Sequence, residues 1–225
     1  MRRPLVVGAI VGVALLLVAD AALTRAGVVV GALPRAAGPW PWVATRAAGV
    51  IAYLALTADV VFGLLVSSGA GDGWVARARS VELHRWLSSV TLALVAVHVV
   101  TLLADGFARL DVLDAVVPFA SGYRPLAIGL GVLAAEVAVL VHLSFGWRKR
   151  LGARAWRRLH LATFGVFAAA TAHGVRGGSD ADVGWMRTIY LASIVVVALL
   201  LGARLWRSRA RRHVGSRTSS STATR

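Results

Sequence analysis

Residues 83–98 read LHRWLSSVTLALVAVH, an apolar run that carries a histidine close to each end. An apolar run of about 20 residues is long enough to cross a bilayer as a helix. Residues 150–174, RLGARAWRRLHLATFGVFAAATAHG, repeat this design with a basic start, an apolar middle and two widely spaced histidines. The two segments therefore predict two membrane helices that each carry histidines at two depths.

The four histidines fall into two level pairs. His84 and His98 are 14 residues apart, and His160 and His173 are 13 apart. At about 1.5 Å per residue, each spacing separates its two side chains by roughly 20 Å along a helix, within a hydrocarbon core of about 30 Å. If both helices run in the same direction, His84 is level with His160, and His98 is level with His173.

The two helices differ in how far their histidines are rotated about the helix axis. Fourteen steps of about 100° return to within about 40° of the starting face, whereas thirteen steps leave an offset of about 140°. We therefore expect the helix with His160 and His173 to be tilted or locally irregular if it serves both levels.

The composition places these helices in a larger membrane bundle. Of 225 residues, 58% are hydrophobic and 16% charged, and the mean hydropathy is +0.72. We predict six spans, at about residues 5–24, 46–68, 82–104, 124–146, 156–175 and 186–206. The predicted fold is an all-α, six-helix transmembrane bundle over residues 1–206, with its core at 45–206 and a disordered basic tail at 207–225.

The net charge of +15 lies between long apolar runs, so the expected partner is a lipid bilayer and not a nucleic acid. With the N-terminus in the cytoplasm, 18 Lys and Arg fall on the cytoplasmic side and 7 on the outer side. The positive-inside rule therefore places both termini in the cytoplasm. These features predict a multi-pass protein of a bacterial-type cytoplasmic membrane.

The chain contains no cysteine. Disulfides, thiol redox chemistry, iron–sulfur ligation and covalent haem attachment through C-x-x-C-H are therefore excluded. A redox centre in this sequence must be held non-covalently.

Buried imidazoles need partners for their nitrogens. Two level pairs are most simply satisfied by axial coordination of two stacked haems, which makes all four histidines iron ligands. The alternative is that they form hydrogen bonds between helices, or lie in the headgroup region where a helix begins.

Three stretches together resemble the ferric-reductase-like transmembrane domain family. This family includes ferric reductases, the NADPH oxidases and the haem-binding membrane subunit of periplasmic methionine sulfoxide reductase. The stretches are the two histidine segments quoted above and VPFASGYRPLAIGLG at residues 117–131. The resemblance covers roughly residues 45–206 and implies a six-helix core that holds haem b between the third and fifth helices.

The resemblance also implies a role for each histidine. His84 and His160 would be ligands of a cytoplasmic-side haem b, and His98 and His173 of an outer one. Larger members of the family continue into a flavin and nicotinamide-nucleotide domain, whereas this sequence ends after the sixth predicted helix. We therefore expect electrons to come from a separate protein, a flavin or a quinol.

Two arginines are candidates for holding haem propionates. Arg158 precedes His160 by two residues, and Arg124 lies at the outer start of the fourth predicted helix. Both are equally expected as anchors at the membrane surface. The dense basic loop from Trp147 to Arg158 is also a candidate docking site for an acidic electron donor.

Three further polar residues fall inside predicted spans. Asp59 and Glu136 are carboxylates at membrane depth, where an ionised group is costly and marks a pathway, a partner or a neutral acid. His142 has no second histidine on its helix, so it is not expected to be an axial ligand. Polar packing is the alternative for each.

Together these features favour a di-haem b cytochrome that passes electrons from a cytoplasmic-side donor to an outer acceptor, as the membrane component of an oxidoreductase. The alternative is a haem-free scaffold or transporter with structural or proton-relay histidines.

Overall fold

The computed structural model describes residues 38–68, 77–106 and 109–222, with side chains described between 79 and 208 in the later part. No strand occurs among these residues, which confirms the all-α class for the described part of the chain. The helices are α1 (Trp40–Ser68), α2 (Arg77–Ala104), α3 (Val112–Val116), α4 (Pro125–Leu151), α5 (Ala153–His160), α6 (Ala162–Gly177) and α7 (Gly184–Thr222).

Four of these helices are long and apolar enough to cross a bilayer. They are α1, α4, residues Arg79–Ala104 of α2 and residues Gly184–Ser208 of α7, and each has 25 to 29 residues where about 20 suffice. They correspond to four of the six predicted spans and confirm an integral membrane protein.

The fifth predicted span, residues 156–175, is divided into α5 and α6 at Leu161. The N–H of Leu161 lies within reach of the carbonyl oxygens of both Arg157 and Arg158, 3.2 Å from each, which marks a locally tightened turn. Because α6 has only 16 residues, it is shorter than a regular spanning helix. The first predicted span, residues 5–24, lies outside the described residues, so the number of spans stays a prediction.

The last helix extends further than expected. Its backbone is helical to Thr222, through most of the segment 207–225 for which the composition predicts disorder. Extending an existing helix adds one hydrogen bond for each residue fixed, and no proline interrupts this segment. The disorder that the composition predicts for residues 207–225 stays a prediction.

The helix α1 is central to the packing. It lies along α2, and it also contacts α6 and α7, while α4 lies along α6. Tyr53 on α1 joins three of these helices: its ring is stacked on Phe167 of α6 and edge-on to Tyr190 of α7, at centroid distances of 6.1 and 5.0 Å. Its hydroxyl lies 3.2 Å from Oγ1 of Thr171 on α6. This contact buries the polar group of each side chain.

Candidate functional site

The structure brings the four predicted histidines together as two separate pairs. The ring centroids of His84 and His160 are 6.0 Å apart, with the ring planes at 88° to each other. Those of His98 and His173 are 6.2 Å apart, with the planes at 84°. In each pair one ring comes from α2 and the other from the α5–α6 segment.

These separations match the geometry of one metal ion held between two imidazoles. A metal–nitrogen bond is about 2 Å long and an imidazole centroid lies about 1 Å behind its nitrogen, so two opposed ligands have centroids about 6 Å apart. The carriers α2 and α6 do not pack closely against each other, whereas α1 lies along α2 and α4 along α6. The rings therefore face each other across a gap between two helix pairs.

In the second pair, backbone carbonyls fix which nitrogen faces the partner. Nδ1–H of His98 donates to the carbonyl oxygen of Thr45 at 2.9 Å, and Nδ1–H of His173 donates to that of Ala127 at 2.7 Å. Because a carbonyl oxygen can only accept, Nδ1 carries the proton in both rings and Nε2 keeps its lone pair. This is the tautomer of a histidine that binds a metal through Nε2.

In the first pair, a carboxylate replaces the carbonyl. Nδ1 of His84 lies 2.8 Å from Oδ1 of Asp59 on α1. Both atoms are buried, and neither forms a hydrogen bond of regular geometry among the described residues, so the contact is a close approach of the carboxylate to the ring nitrogen. Asp59 therefore occupies the position at His84 that a backbone oxygen occupies at the second pair.

Three of the four imidazoles lie against a glycine of a neighbouring helix. The pairs, with the distance from the position of an added Cβ to the nearest imidazole atom, are Gly49 and His98 (2.9 Å), Gly63 and His84 (3.1 Å), and Gly131 and His173 (2.6 Å). A Cβ does not fit at the first or third position without moving the ring, and at the second it is tight. We name Gly49, Gly63 and Gly131 the glycine wall, because each forms the surface that an imidazole contacts.

Each glycine follows by four positions the residue whose oxygen lies at Nδ1 of the imidazole. These residues are Thr45 before Gly49 and Ala127 before Gly131, which accept through their backbone carbonyls, and Asp59 before Gly63, whose carboxylate lies 2.8 Å from Nδ1. Since Cα–Cβ bonds tilt towards the N-terminus of a helix, a side chain at position i+4 covers the carbonyl of residue i. A glycine leaves that surface open, so an imidazole from the next helix can reach the oxygen.

His160 is held differently. Its ring is stacked on Trp156, one turn earlier in α5, with centroids 5.0 Å apart and planes at 19°. The helix ends at His160 and restarts after Leu161. This is the irregularity that the 13-residue spacing predicts, and it allows His160 and His173 to reach their two partners.

Each histidine pair also has a buried polar atom without a partner beside it. Nε1 of Trp156 next to His160, and Oγ1 of Thr45 next to His98, have no hydrogen-bond partner among the described residues. An orphaned donor in a buried place is costly unless a further group satisfies it. Both atoms can donate to an acceptor such as a carboxylate on a bound group.

A family model described as "Ferric reductase like transmembrane component" matches residues 48–171, more than half of the chain. The chain belongs to this family. No curated protein and no solved structure gives a significant match. The matched range contains His84, His98 and His160, and it ends two residues before His173.

Membership in the ferric reductase-like family indicates a membrane electron-transfer component of oxidoreductase type. Among the described residues, no group of three or more His, Cys, Asp or Glu could hold a metal ion. Haem needs only two axial ligands from the protein, and each histidine pair offers two.

The two predicted arginines are not equivalent in this ferric reductase-like chain. Arg124 lies at the start of α4, at the level of the second pair, and its guanidinium donates to the carbonyl oxygens of Arg176 and Gly177 at 3.3 and 3.4 Å. Arg158 is exposed on α5. Their roles towards a propionate stay predictions.

The other polar residues of the predicted spans differ in whether they contact the imidazole pairs. Nδ1 of His142 on α4 is 3.1 Å from Oγ of Ser88 on α2. Glu136 is exposed on α4. Only Asp59 among the predicted intramembrane carboxylates contacts one of the paired histidines.

Proposed function

We propose that this protein is a two-haem membrane cytochrome that carries single electrons across the bilayer. The observation that carries the proposal is the presence of two imidazole pairs, 6.0 and 6.2 Å between centroids, at two depths of one helix bundle. Haem b, when bound at such pairs, supplies one-electron iron chemistry and gives the membrane an electron-conducting centre.

The residues of the chain would bind, orient and bury the two groups. His84 with His160, and His98 with His173, would be the axial ligands of the two haems. The glycines opposite three of these rings set their position, and the backbone acceptors at Nδ1 set the tautomer of His98 and His173. In an apolar bundle without cysteine, this is the arrangement that non-covalent haem requires.

Electrons would enter at the end of the bundle that bears His160 and the basic α4–α5 connection, which we name the basic end. There the ring of Phe145 lies between the guanidinium groups of Arg85 and Arg148, 4.3 and 4.1 Å from its centroid. The ring of Phe145 is edge-on to Trp156, at 6.2 Å, and Trp156 is stacked on His160. A positive aromatic surface thus leads to a ligand of the first pair, where a separate acidic donor protein would dock.

The direction of electron transfer would follow from the orientation of the bundle in the membrane. The positive-inside rule places the basic end in the cytoplasm, so electrons enter at His84 and His160 and leave at His98 and His173. The acceptor then lies on the outer side. A quinol is the alternative donor.

The test is the reduced-minus-oxidised absorption spectrum of the purified protein from haem-replete cells. We expect a b-type signal equivalent to two haems per chain, reduced to one in His98→Ala and to one in His84→Ala. The control is His142→Ala, a membrane histidine on α4 that belongs to neither pair, and it should keep both haems. A flat spectrum in the wild-type protein contradicts the proposal and favours a haem-free scaffold or transporter.

A further inference from the structure

The two histidine pairs have similar ring separations, but the groups behind the rings differ. Both rings of the second pair donate from Nδ1 to neutral backbone carbonyls, those of Thr45 and Ala127. In the first pair, Nδ1 of His84 faces the carboxylate of Asp59. The two pairs therefore differ in the charge of the group at Nδ1, which is a neutral carbonyl in the second pair and a carboxylate in the first.

The position of Asp59 needs a physical reason. It lies on α1, inside a helix that is long and apolar enough to cross the membrane, where an ionised carboxylate is costly. Its Oδ1 is buried and forms no hydrogen bond of regular geometry among the described residues. The contact with His84 is thus the interaction that the structure gives to this oxygen.

The carboxylate of Asp59, 2.8 Å from Nδ1, carries a negative charge, whereas a backbone carbonyl oxygen is neutral, so it polarises the imidazole more strongly. A more strongly polarised imidazole has a higher electron density at Nε2 and is a more basic ligand. A more basic ligand, and a negative charge close to the site, both favour the ferric over the ferrous state because the ferric ion carries more positive charge.

We propose that Asp59 is a positioning residue that makes the iron held by His84 and His160 harder to reduce than the iron held by His98 and His173. This inference rests on the proposed function, because it concerns the relative potentials of the two haems. The lower-potential haem then lies at the basic end, and an electron favours the second pair. The direction of transfer follows from one residue contact as well as from the charge of the loops.

A competing charge lies nearby. Arg204 on α7 and Asp59 on α1 both act electrostatically on His160, with opposite signs. A cation favours the ferrous state and so opposes Asp59. Because Asp59 lies 2.8 Å from a nitrogen of His84, whereas the structure shows no contact of Arg204 with either ring, the carboxylate has the larger effect.

The decisive experiment is redox potentiometry of the purified holoprotein, followed by the b-type absorbance, in the wild type and in Asp59→Asn. Asparagine keeps an acceptor oxygen at the same place and removes the charge. We expect two one-electron transitions in the wild type, with the lower one moved upward in the variant by a tenfold or larger change in redox equilibrium, about 59 mV for one electron. The upper transition should not move. Asp59→Glu, which keeps a carboxylate, should retain most of the wild-type difference between the two transitions.

The matched control is Glu136→Gln, which also converts a carboxylate to an amide in a membrane helix but at an exposed position on α4. It should leave both transitions in place. Two retained haems with an unmoved lower transition in Asp59→Asn would overturn the inference, and so would an equal shift of both transitions.

A second measurement does not depend on how Asp59→Asn folds. In His98→Ala, the haem that remains belongs to the first pair, and its potential should equal the lower of the two wild-type values. If it equals the higher value, the inference is wrong although the two-haem function stands. If the wild-type protein binds no haem, it is the proposed function that fails.

Discussion

Trp156 lies flat against His160, with ring centroids 5.0 Å apart and ring planes at 19°. The two residues are four apart, so they occupy neighbouring positions on one face of α5. Of the four paired histidines, His160 is the one for which the structure gives no glycine wall. The indole therefore has the supporting role at His160 that a glycine surface has at the other three.

Replacing Trp156 by alanine should weaken the first pair selectively. The half-buried indole contributes about 2 kcal/mol through packing, less than the cost of deleting a fully buried aromatic ring. We expect Trp156→Ala to lose one of its two haems at a lower temperature than the wild type, as measured by the b-type absorbance during heating. Trp156→Phe keeps a stacked ring and should fall between the two. Equal thermal loss in the wild type and the alanine variant would show that the stack is dispensable.

The close contact between Gly131 and His173 predicts that the addition of a single methyl group causes a loss of haem. In Gly131→Ala the new Cβ would lie 2.6 Å from Nδ1 of His173, a distance that real Cβ atoms do not show. We expect this variant to bind one haem instead of two, measured as haem per chain. Elsewhere in a helix the same change favours the helix by about 1 kcal/mol, so lost helicity cannot be the cause.

The control for that loss lies on the same helix. An added Cβ at Gly146 meets no atom within 4 Å among the described residues, so Gly146→Ala should keep both haems and full stability. If both alanine variants lose haem, the effect belongs to the helix as a whole and not to the contact with His173.

Much of the histidine arrangement could be predicted from residue spacing. Spacings of 14 and 13 residues predict two levels, and the structure pairs His84 with His160 and His98 with His173. The rotational mismatch of the second spacing predicts an irregular helix, and the break at Leu161 confirms it. Helix periodicity depends on local backbone geometry alone, so it can be read from the sequence without knowledge of the tertiary structure.

The surroundings of the rings could not be predicted in the same way. A glycine in an apolar run is usually a packing residue, and Gly49 and Gly63 gain meaning only once α1 is known to lie along α2. One signal was present: Gly49 and Gly63 are 14 residues apart, the same spacing as His84 and His98. Two antiparallel helices bring equal spacings face to face.

A bidentate ion pair joins two distant parts of the chain. Arg46 on α1 donates from Nε to Oδ2 of Asp180 at 2.9 Å and from its terminal nitrogen to Oδ1, and its guanidinium lies 4.0 Å from the ring centroid of Trp42. The side chains are 33% and 17% exposed, so the pair is neither fully buried nor fully solvated. It fixes the connection between α6 and α7 to the beginning of α1.

Breaking this pair should destabilise the protein measurably. For such partial burial we expect Asp180→Asn to cost about 1–2 kcal/mol, between the values for exposed and buried pairs. Arg46→Lys should cost part of this, because an ammonium cannot make the two parallel bonds. Thermal unfolding in detergent measures both. If the loss of stability in the double variant equals the sum of the losses in the two single variants, the two side chains do not interact.

The absence of cysteine makes the orientation of the bundle directly testable. Ser179 lies in the exposed α6–α7 connection and Ala155 on the exposed surface of α5, at opposite ends of the bundle. The positive-inside rule predicts that Ser179→Cys reacts with a membrane-impermeant maleimide in intact cells. Ala155→Cys should react only after the membrane is opened, and the wild-type chain should not react at all. Labelling of Ala155→Cys alone in intact cells would invert the bundle, place the first histidine pair on the outer side and reverse the direction of transfer, because the order of the pairs along α2 is fixed by the chain.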